Sequence, residues 1–223
     1  MTFQQPQATV ATPIESIHKF VIAGWTGRDP QQVRKHIEEL QVIGVKPPST
    51  VPVFYEVFPS LMTTATEIGV VGLQTSGEVE FVLLKTSEGL FVTVGSDHTD
   101  RWLEATSVHH SKQVCAKPAS ARAWPLSAVI PQWDQLILRS YSVLNGRRRL
   151  YQEGCVTGML APEDLIARYE RSGGDFSPGT AMSCGTLALR DGMEFGERFE
   201  LEDPVCGLIL RHSYRIKAIE IAS

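Results

Sequence analysis

Glu78 and Glu80 stand two apart in the run Gly-Glu-Val-Glu-Phe-Val-Leu-Leu, and Asp97 follows in Gly-Ser-Asp-His-Thr-Asp-Arg. Residues i and i+2 of a strand share a face, so the two glutamates project side by side. Like charges placed this way repel unless a cation or protons offset them. A third acid, at the end of the next apolar run (Phe91 to Val94), would close an all-oxygen site for a hard divalent cation such as Mg2+. An isolated Glu-x-Glu on an exposed strand edge would need no ion. Here Phe81 to Leu84 are apolar on both faces, which predicts a buried strand, and buried carboxylates need a partner.

Other groups could work beside these acids. His36 and Glu39 are three apart on a predicted helix and so are surface neighbours. His36 falls inside the arc of Val33, Ile37, Leu40 and Ile43, and Glu39 at its edge. This is either a core-edge histidine with a salt-bridge partner or a dyad in which Glu39 orients His36 to take a proton from water. Lys112, after a loop rich in Ser and His, is either a surface lysine or a cation stabilising an enolate or carbanion. Arg101, four residues after Asp97, has the same two readings. His98, His109 and His110 fit no zinc signature and are read as loop residues lining the site. In Ser183-Cys184-Gly185-Thr186 the glycine permits close backbone approach, and the Thr186 hydroxyl with backbone N–H groups could hold a substrate carboxylate. A glycine bend within a sheet accounts for the same residues equally well.

The elements that must position these groups are short. Residues 1–17 read as an arm and 18–223 as a single domain. Lys19 to Ala23 is a predicted strand. A helix follows, with Asp29 at the N-cap, Pro30 first, Gln32 completing a capping-box pattern and Gly44 at the stop. Val51 to Val94 reads as strands and turns, and Asp97 to Pro118 as polar and irregular. Leu136 to Leu144 pairs with Arg149 to Val156 across the tight turn Asn145-Gly146. A second helix is predicted from Pro162 to near Gly173-Gly174, Ser177-Pro178-Gly179 is a turn, and the remainder is β-rich. Few short helices among many strands predict a β-rich α+β domain, not a doubly wound sheet. No Gly-rich phosphate loop is present, so no nucleotide cofactor is expected.

Composition narrows the function classes. The 223 residues suffice for one sizeable core, and a net charge of −4 gives no field toward nucleic acid or acidic membranes. The basic run Arg147-Arg148-Arg149 reads as solvated charge on a hairpin. No apolar stretch reaches the roughly 20 residues that span a bilayer, and Met1 to Pro13 is unlike a signal peptide. Cys115, Cys155, Cys184 and Cys206 form no CxxC pair, and reduced thiols in a cytoplasmic protein are expected.

The order of these pieces resembles the fumarylacetoacetate hydrolase-like superfamily, in its shared C-terminal catalytic domain, over roughly Phe20 to Ile216. Gly24 followed by His36 and Glu39 is similar to the family's segment ending in His-x-x-Glu. Val51 to Leu61 is similar to its Pro-x-x-Phe-x-Lys-x-x-Ser stretch, and Glu78 and Glu80 to its Glu-x-Glu metal ligands. Asp97 and Arg101 match its Asn-Asp-x-(Ser/Thr)-x-Arg motif, and Lys112 the lysine that follows. Asn145-Gly146 with Gln152 resembles its Asn-Gly-Glu-x-x-Gln hairpin, and Ser177-Pro178-Gly179 with Gly185-Thr186 its Pro-Gly-Asp and Gly-Thr-Pro segments. Ser96, Thr180, Leu187 and Glu56 stand where that family has Asn, Asp, Pro and Lys. The closer resemblance is to a divergent branch catalogued as a domain of unknown function.

The resemblance implies a mixed β-roll fold, a homodimer, and Mg2+ or Mn2+ held by Glu78, Glu80 and Asp97. It also implies a small oxo-acid substrate, C–C bond hydrolysis with His36 and Glu39 activating water, charge stabilisation by Lys112 and Arg101, and substrate contacts from Gly185 and Thr186. Decarboxylation or tautomerisation of oxaloacetate-like acids on the same site is the nearest rival. A catalytically silent metabolite-binding homologue is a third reading.

Overall fold

The apolar run after Glu78 forms an eight-residue strand in which Val79 to Leu84 are all buried, as apolar residues on both faces require. The computed structural model describes residues 9–42, 47–196, 198–205 and 208–221; the side chains of residues 36, 39, 40, 42, 198–205 and 208 lie outside that description. The strands are β1 (Val10–Ala11), β2 (Lys19–Gly24), β3 (Val53–Val57), β4 (Met62–Thr63), β5 (Glu67–Val71), β6 (Thr75–Ser76), β7 (Val79–Thr86), β8 (Gly89–Ser96), β9 (Thr99–Asp100), β10 (Lys117–Pro118), β11 (Arg122–Pro125), β12 (Ile137–Leu144), β13 (Arg147–Cys155), β14 (Thr180–Thr186), β15 (Arg198–Val205) and β16 (Leu208–Ile219). The α-helices are α1 (Pro30–Val42), α2 (Arg101–Glu104), α3 (Val108–Gln113), α4 (Leu126–Val129) and α5 (Pro162–Arg171).

A seven-stranded sheet runs β1-β11-β8-β7-β14-β2-β3, and a five-stranded sheet runs β13-β12-β15-β16-β5. Each is mixed: β14 pairs with β2, and β16 with β5, in parallel, while their other pairs are antiparallel. This is the expected β-rich α+β class.

The period of two explains how β7 serves both faces. Val79, Phe81 and Leu83 join the larger core cluster with Leu138, Tyr151 and Tyr214 of the other sheet. Val82 and Leu84 join the second cluster with Phe20, Ile22 and Ala181. Glu80 shares the parity of Val82 and Leu84, so it belongs to the far face of the sheet rather than the inter-sheet core.

The local signals behave as their chemistry dictates. Asp29 Oδ1 accepts the N–H groups of Gln31 (2.8 Å) and Gln32 (3.4 Å) and caps α1; the expected stop at Gly44 lies outside the described residues. Asn145 and Gly146 both take positive φ, 50° and 72°, in the two-residue turn between β12 and β13. Arg147 to Arg149 are exposed there, with the Arg148 guanidinium 3.3 Å from the Tyr141 ring centroid. Helix α5 starts at Pro162 with Glu163 and Asp164 in its first turn.

Two regions differ from expectation. Asp97 to Pro118 is not irregular: α2 and α3 lie within it, capped by the side chains of Asp100 and Ser107. They are one or two turns long, too short for hydrophobic periodicity to reveal them. Of the expected arm, residues 9–17 are docked: β1 pairs with β11 at the edge of the larger sheet, and Ile17 is buried.

Candidate metal centre

The β7–β8 register pairs Val79 with Ser96 and Glu80 with Gly95, which brings Glu78 and Asp97 to one end of the hairpin. The Asp97 N–H donates to the Glu78 carbonyl at 3.0 Å. One carboxylate oxygen from each of Glu78, Glu80 and Asp97 then lies within 4.8 Å of the others. Glu80 and Asp97 are 2% and 1% exposed, whereas the Glu78 side chain is 17% exposed and forms the open side.

Glu78 and Asp97 have cationic partners, and share one of them. Arg101, at the start of α2, reaches Glu78 at 3.0 Å, donates to Ser76 Oγ at 2.7 Å and pairs with Glu104 at 2.8 Å. Lys112 on α3 donates to one Asp97 oxygen and lies 3.7 Å from Glu78. Lys117 on β10 lies 2.9 Å from the other Asp97 oxygen and donates to the His98 carbonyl at 2.5 Å. Burial alone would raise the Asp97 carboxyl, but Lys112 and Lys117 outweigh it and hold that group well below the usual carboxylate range. Burial would lower Lys112, yet Asp97 and Glu78 hold it above the ordinary lysine range.

Among the described residues no such cation is bonded to Glu80. Its Oε2 accepts from Ser183 Oγ at 2.5 Å and from the Gly185 N–H at 2.9 Å, both neutral donors. Burial, then the charges of Asp97 and Glu78, push its carboxyl up to about 8. An oxygen-only donor set of three convergent carboxylates is what a hard divalent cation requires, so the three fit Mg2+ or Mn2+ and can hold one.

Two glycines make the arrangement possible. A Cβ on Gly95 would lie 2.8 Å from Val82 Cγ2 and 3.3 Å from the Pro118 carbonyl, so its absence lets β10 bring Lys117 against Asp97. Gly185 has φ +95°, and a Cβ there would overlap the Thr26 hydroxyl, which itself donates to the Cys184 carbonyl at 3.0 Å. Behind the site, fully buried Gln152 ties three segments together. Its amide nitrogen donates to Thr186 Oγ1 (2.9 Å) and the Leu187 carbonyl (2.7 Å), and its oxygen accepts from Val79 N–H (2.9 Å) and Ser140 Oγ (3.0 Å).

The structure brings together Glu78, Glu80, Asp97, Arg101, Lys112 and Gly185. Thr186 is adjacent, but its hydroxyl donates to the Val79 carbonyl at 2.8 Å and accepts from Gln152. The Gly185 N–H faces Glu80. His36 and Glu39 lie on α1, and their side chains fall outside the described residues. His98 is not a loop residue lining the site. It is fully buried, with Nδ1 3.1 Å from the Tyr214 hydroxyl and Nε2 2.9 Å from Thr75 Oγ1. Burial, then Lys117 and Arg101, push it down to about 3, so it stays neutral. His109 bonds the Glu56 carbonyl at 2.7 Å, and His110 bonds Ser107. Cys115, Cys155 and Cys184 are free; Cys206 lies outside the described residues. Lys117 and Ser183 were not among the sequence candidates. Lys117 did carry a signal: it is the one charge between Val114 and Ser120, a stretch otherwise uncharged.

A family model, described as protein of unknown function (DUF2848), matches residues 23–214. No curated protein matches the sequence. The fold is similar to a 2-keto-3-deoxy-D-arabinonate dehydratase complexed with magnesium and 2,5-dioxopentanoate, with a TM-score of 0.67, 15% identity and coverage of 92% of this chain and 75% of that one. It is also similar to a protein from Oleispira antarctica provisionally described as a fumarylacetoacetate isomerase/hydrolase, with a TM-score of 0.66, 18% identity and coverage of 90% and 94%. At these identities the likeness establishes the fold: a fumarylacetoacetate hydrolase-like domain.

Proposed function

The chain belongs to the DUF2848 family, and on that premise and the geometry of its acidic site we propose that it is a divalent-metal-dependent hydrolase cleaving a C–C bond in a small 2-oxo or β-diketo acid. The observation that carries this reading is the convergence of Glu78, Glu80 and Asp97, flanked by Lys112 and Arg101. A Mg2+ or Mn2+ ion held by the three carboxylates would supply Lewis-acid polarisation of the substrate's keto and enolate oxygens. Lys112 and Arg101 offer permanent positive charge at the open, Glu78 side, where negative charge on a departing carbanion needs stabilising. His36, oriented by Glu39, takes the proton of the attacking water and returns it to the carbanion carbon once the C–C bond breaks. Gly185 holds Glu80 in place, and Thr186 would reach a substrate carboxylate only by giving up the hydrogen bond its hydroxyl donates to the Val79 carbonyl.

A second reading keeps the site and omits the water attack. It is favoured by the fold's likeness to the dehydratase complex with magnesium and a dioxo acid. A lyase, decarboxylase or tautomerase would need the same charge stabilisation and only a proton transfer at His36 or Lys112. Product analysis of a panel of 2-oxo and β-diketo acids, with Mg2+ or Mn2+ restored to chelator-treated protein, separates the two. Cleavage into two acids supports the hydrolase; CO2 release, water loss or isomerisation alone removes it. His36→Ala is expected to lower turnover by about 10²–10⁴-fold with metal affinity unchanged. The same reading carries a homodimer and a cytoplasmic location, which light scattering and cell fractionation test. Among the described residues no helix is long and apolar enough to cross a membrane.

A further inference from the structure

Glu78 is the one acid of the three that stands on the open side of the site, and it lies just before β7, whose pairing with β8 begins at Val79 and Ser96. Its peptide is held at both ends by residues of the facing segment. The Glu78 N–H donates to Ser96 Oγ at 3.2 Å, and its carbonyl accepts the Asp97 N–H at 3.0 Å. Ser96 is itself held from the other sheet: its Oγ is hydrogen-bonded to the hydroxyl of Tyr214 on β16 at 2.9 Å.

The chain of contacts does not stop at Tyr214. Its hydroxyl lies 3.1 Å from His98 Nδ1, the two rings meet edge to face at 5.6 Å, and His98 Nε2 lies 2.9 Å from Thr75 Oγ1. Thr75 belongs to β6, the segment that carries Arg101. Ser76 Oγ accepts from Arg101 Nε at 2.7 Å, and the Gln74 carbonyl accepts the Arg101 N–H at 2.8 Å. Arg101 closes the circuit by pairing with Glu78 at 3.0 Å. Ser96, Tyr214, His98 and Thr75 are each at most 2% exposed, so water does not offer these groups replacement partners. A buried neutral chain therefore ties the backbone of one acid to the ribbon that carries its cation.

We propose that Tyr214 is a positioning residue for the metal centre: joined to His98 on one side and Ser96 on the other, it fixes Glu78 against Arg101 in the pose that presents the Glu78 carboxylate to a divalent cation. This rests on the reading of Glu78, Glu80 and Asp97 as metal ligands. The hydroxyl touches no ligand carboxylate and acts only through Ser96, as groups behind a metal ligand orient it.

Calorimetric titration of Mg2+ into chelator-treated full-length protein tests it, at a temperature where circular dichroism shows every variant folded. Tyr214→Phe and Ser96→Ala each delete a single oxygen and keep the rest of the side chain. Each is expected to raise the Mg2+ Kd about tenfold, the lower end of the range for groups behind a ligand. Because both act through one chain, the double variant is expected to be no weaker than either single one, whereas independent losses would multiply to about a hundredfold. Thr93→Val is the comparison: it removes another buried hydroxyl of β8, one that donates to the Arg122 carbonyl outside the chain, and is expected to leave the Kd unchanged. An unchanged Kd in Tyr214→Phe, multiplying losses in the double variant, or an equal loss in Thr93→Val overturns the positioning role and leaves the metal site standing. No Mg2+ binding by the unsubstituted protein overturns both.

Discussion

The two sheets use the same carboxylates and cations to opposite ends. At one end of the β7–β8 hairpin of the seven-stranded sheet, Glu80 and Asp97 are gathered with Lys112 of α3 and Lys117 of β10 where water barely reaches. On the five-stranded sheet, Arg139 pairs with Glu153 at 2.5 Å and Arg190 with Glu153 at 3.1 Å, on a solvated surface. Burial turns each charge of the first set into a structural obligation, because removing one partner strands another. Exposure makes the second set nearly dispensable, since water replaces whatever is lost. Among the described residues no cation bonds Glu80, and the cluster can accept a divalent cation there.

The sharpest break in this contrast is Asp97→Ala. It leaves Lys112 and Lys117 buried without their shared acceptor, and urea unfolding of the metal-free protein is expected to show a loss of about 3–5 kcal/mol. Calorimetry of the same variant is expected to detect no Mg2+ binding. A loss under about 1 kcal/mol would place these charges with the surface pairs instead.

Gln152→Ala probes the neutral framework beneath the charges. It removes four hydrogen bonds and strands the Val79 N–H and Leu187 carbonyl, for an expected loss of about 2–4 kcal/mol in the same urea measurement. Metal affinity is expected to fall as well, because Val79 sits between the two glutamates. Retained affinity would mean that Gln152 stabilises the sheets without positioning the acids.

How far the sequence reveals this contrast depends on the range of each interaction. Glu78, Glu80 and Asp97 were legible because a hairpin is local: their spacing and the apolar run on both faces of β7 are enough to bring them together. The helix starts at Asp29 and Pro162 and the Asn145-Gly146 turn were legible for the same reason. The partners of Glu80 were not, because Ser183 and Gly185 lie about a hundred positions away, on a strand whose pairing with β7 leaves no local trace. Lys117 was missed because one lysine in a short apolar stretch reads as surface charge until Gly95 is seen to admit β10. His98 was misread because the polarity of its neighbours suggested a loop, whereas Tyr214, more than a hundred residues on, buries it.

The pH dependence of stability sharpens the comparison at its centre. Glu80 carries a folded-state carboxyl raised from 4.5 to about 8. Between those values the unfolded chain has released the proton that the folded chain retains, so the unfolded state binds fewer protons and stability falls as pH rises. Metal-free protein is expected to lose up to about 1.4 kcal/mol per pH unit across that window, and Glu80→Gln to remove this slope. Added Mg2+ should also flatten it, with an apparent Kd that tightens toward pH 8 as the competing proton leaves. A slope that survives Glu80→Gln would assign the linkage to another group.

The smallest expected effect tests the other side. Arg139→Ala removes the shorter pair of the five-stranded sheet, whose two side chains are 28% and 32% exposed. Arg190 remains beside Glu153, and solvent screens both, so the expected change is about 0.5 kcal/mol or less, shrinking further in 1 M salt. The pH slope assigned to Glu80 and the Mg2+ affinity should be indistinguishable from those of the unsubstituted protein. If this surface substitution shifted either one, the charges of the two sheets would be coupled through the shared core, and the division between a site organised for a ligand and a surface organised for solvent would have to be withdrawn.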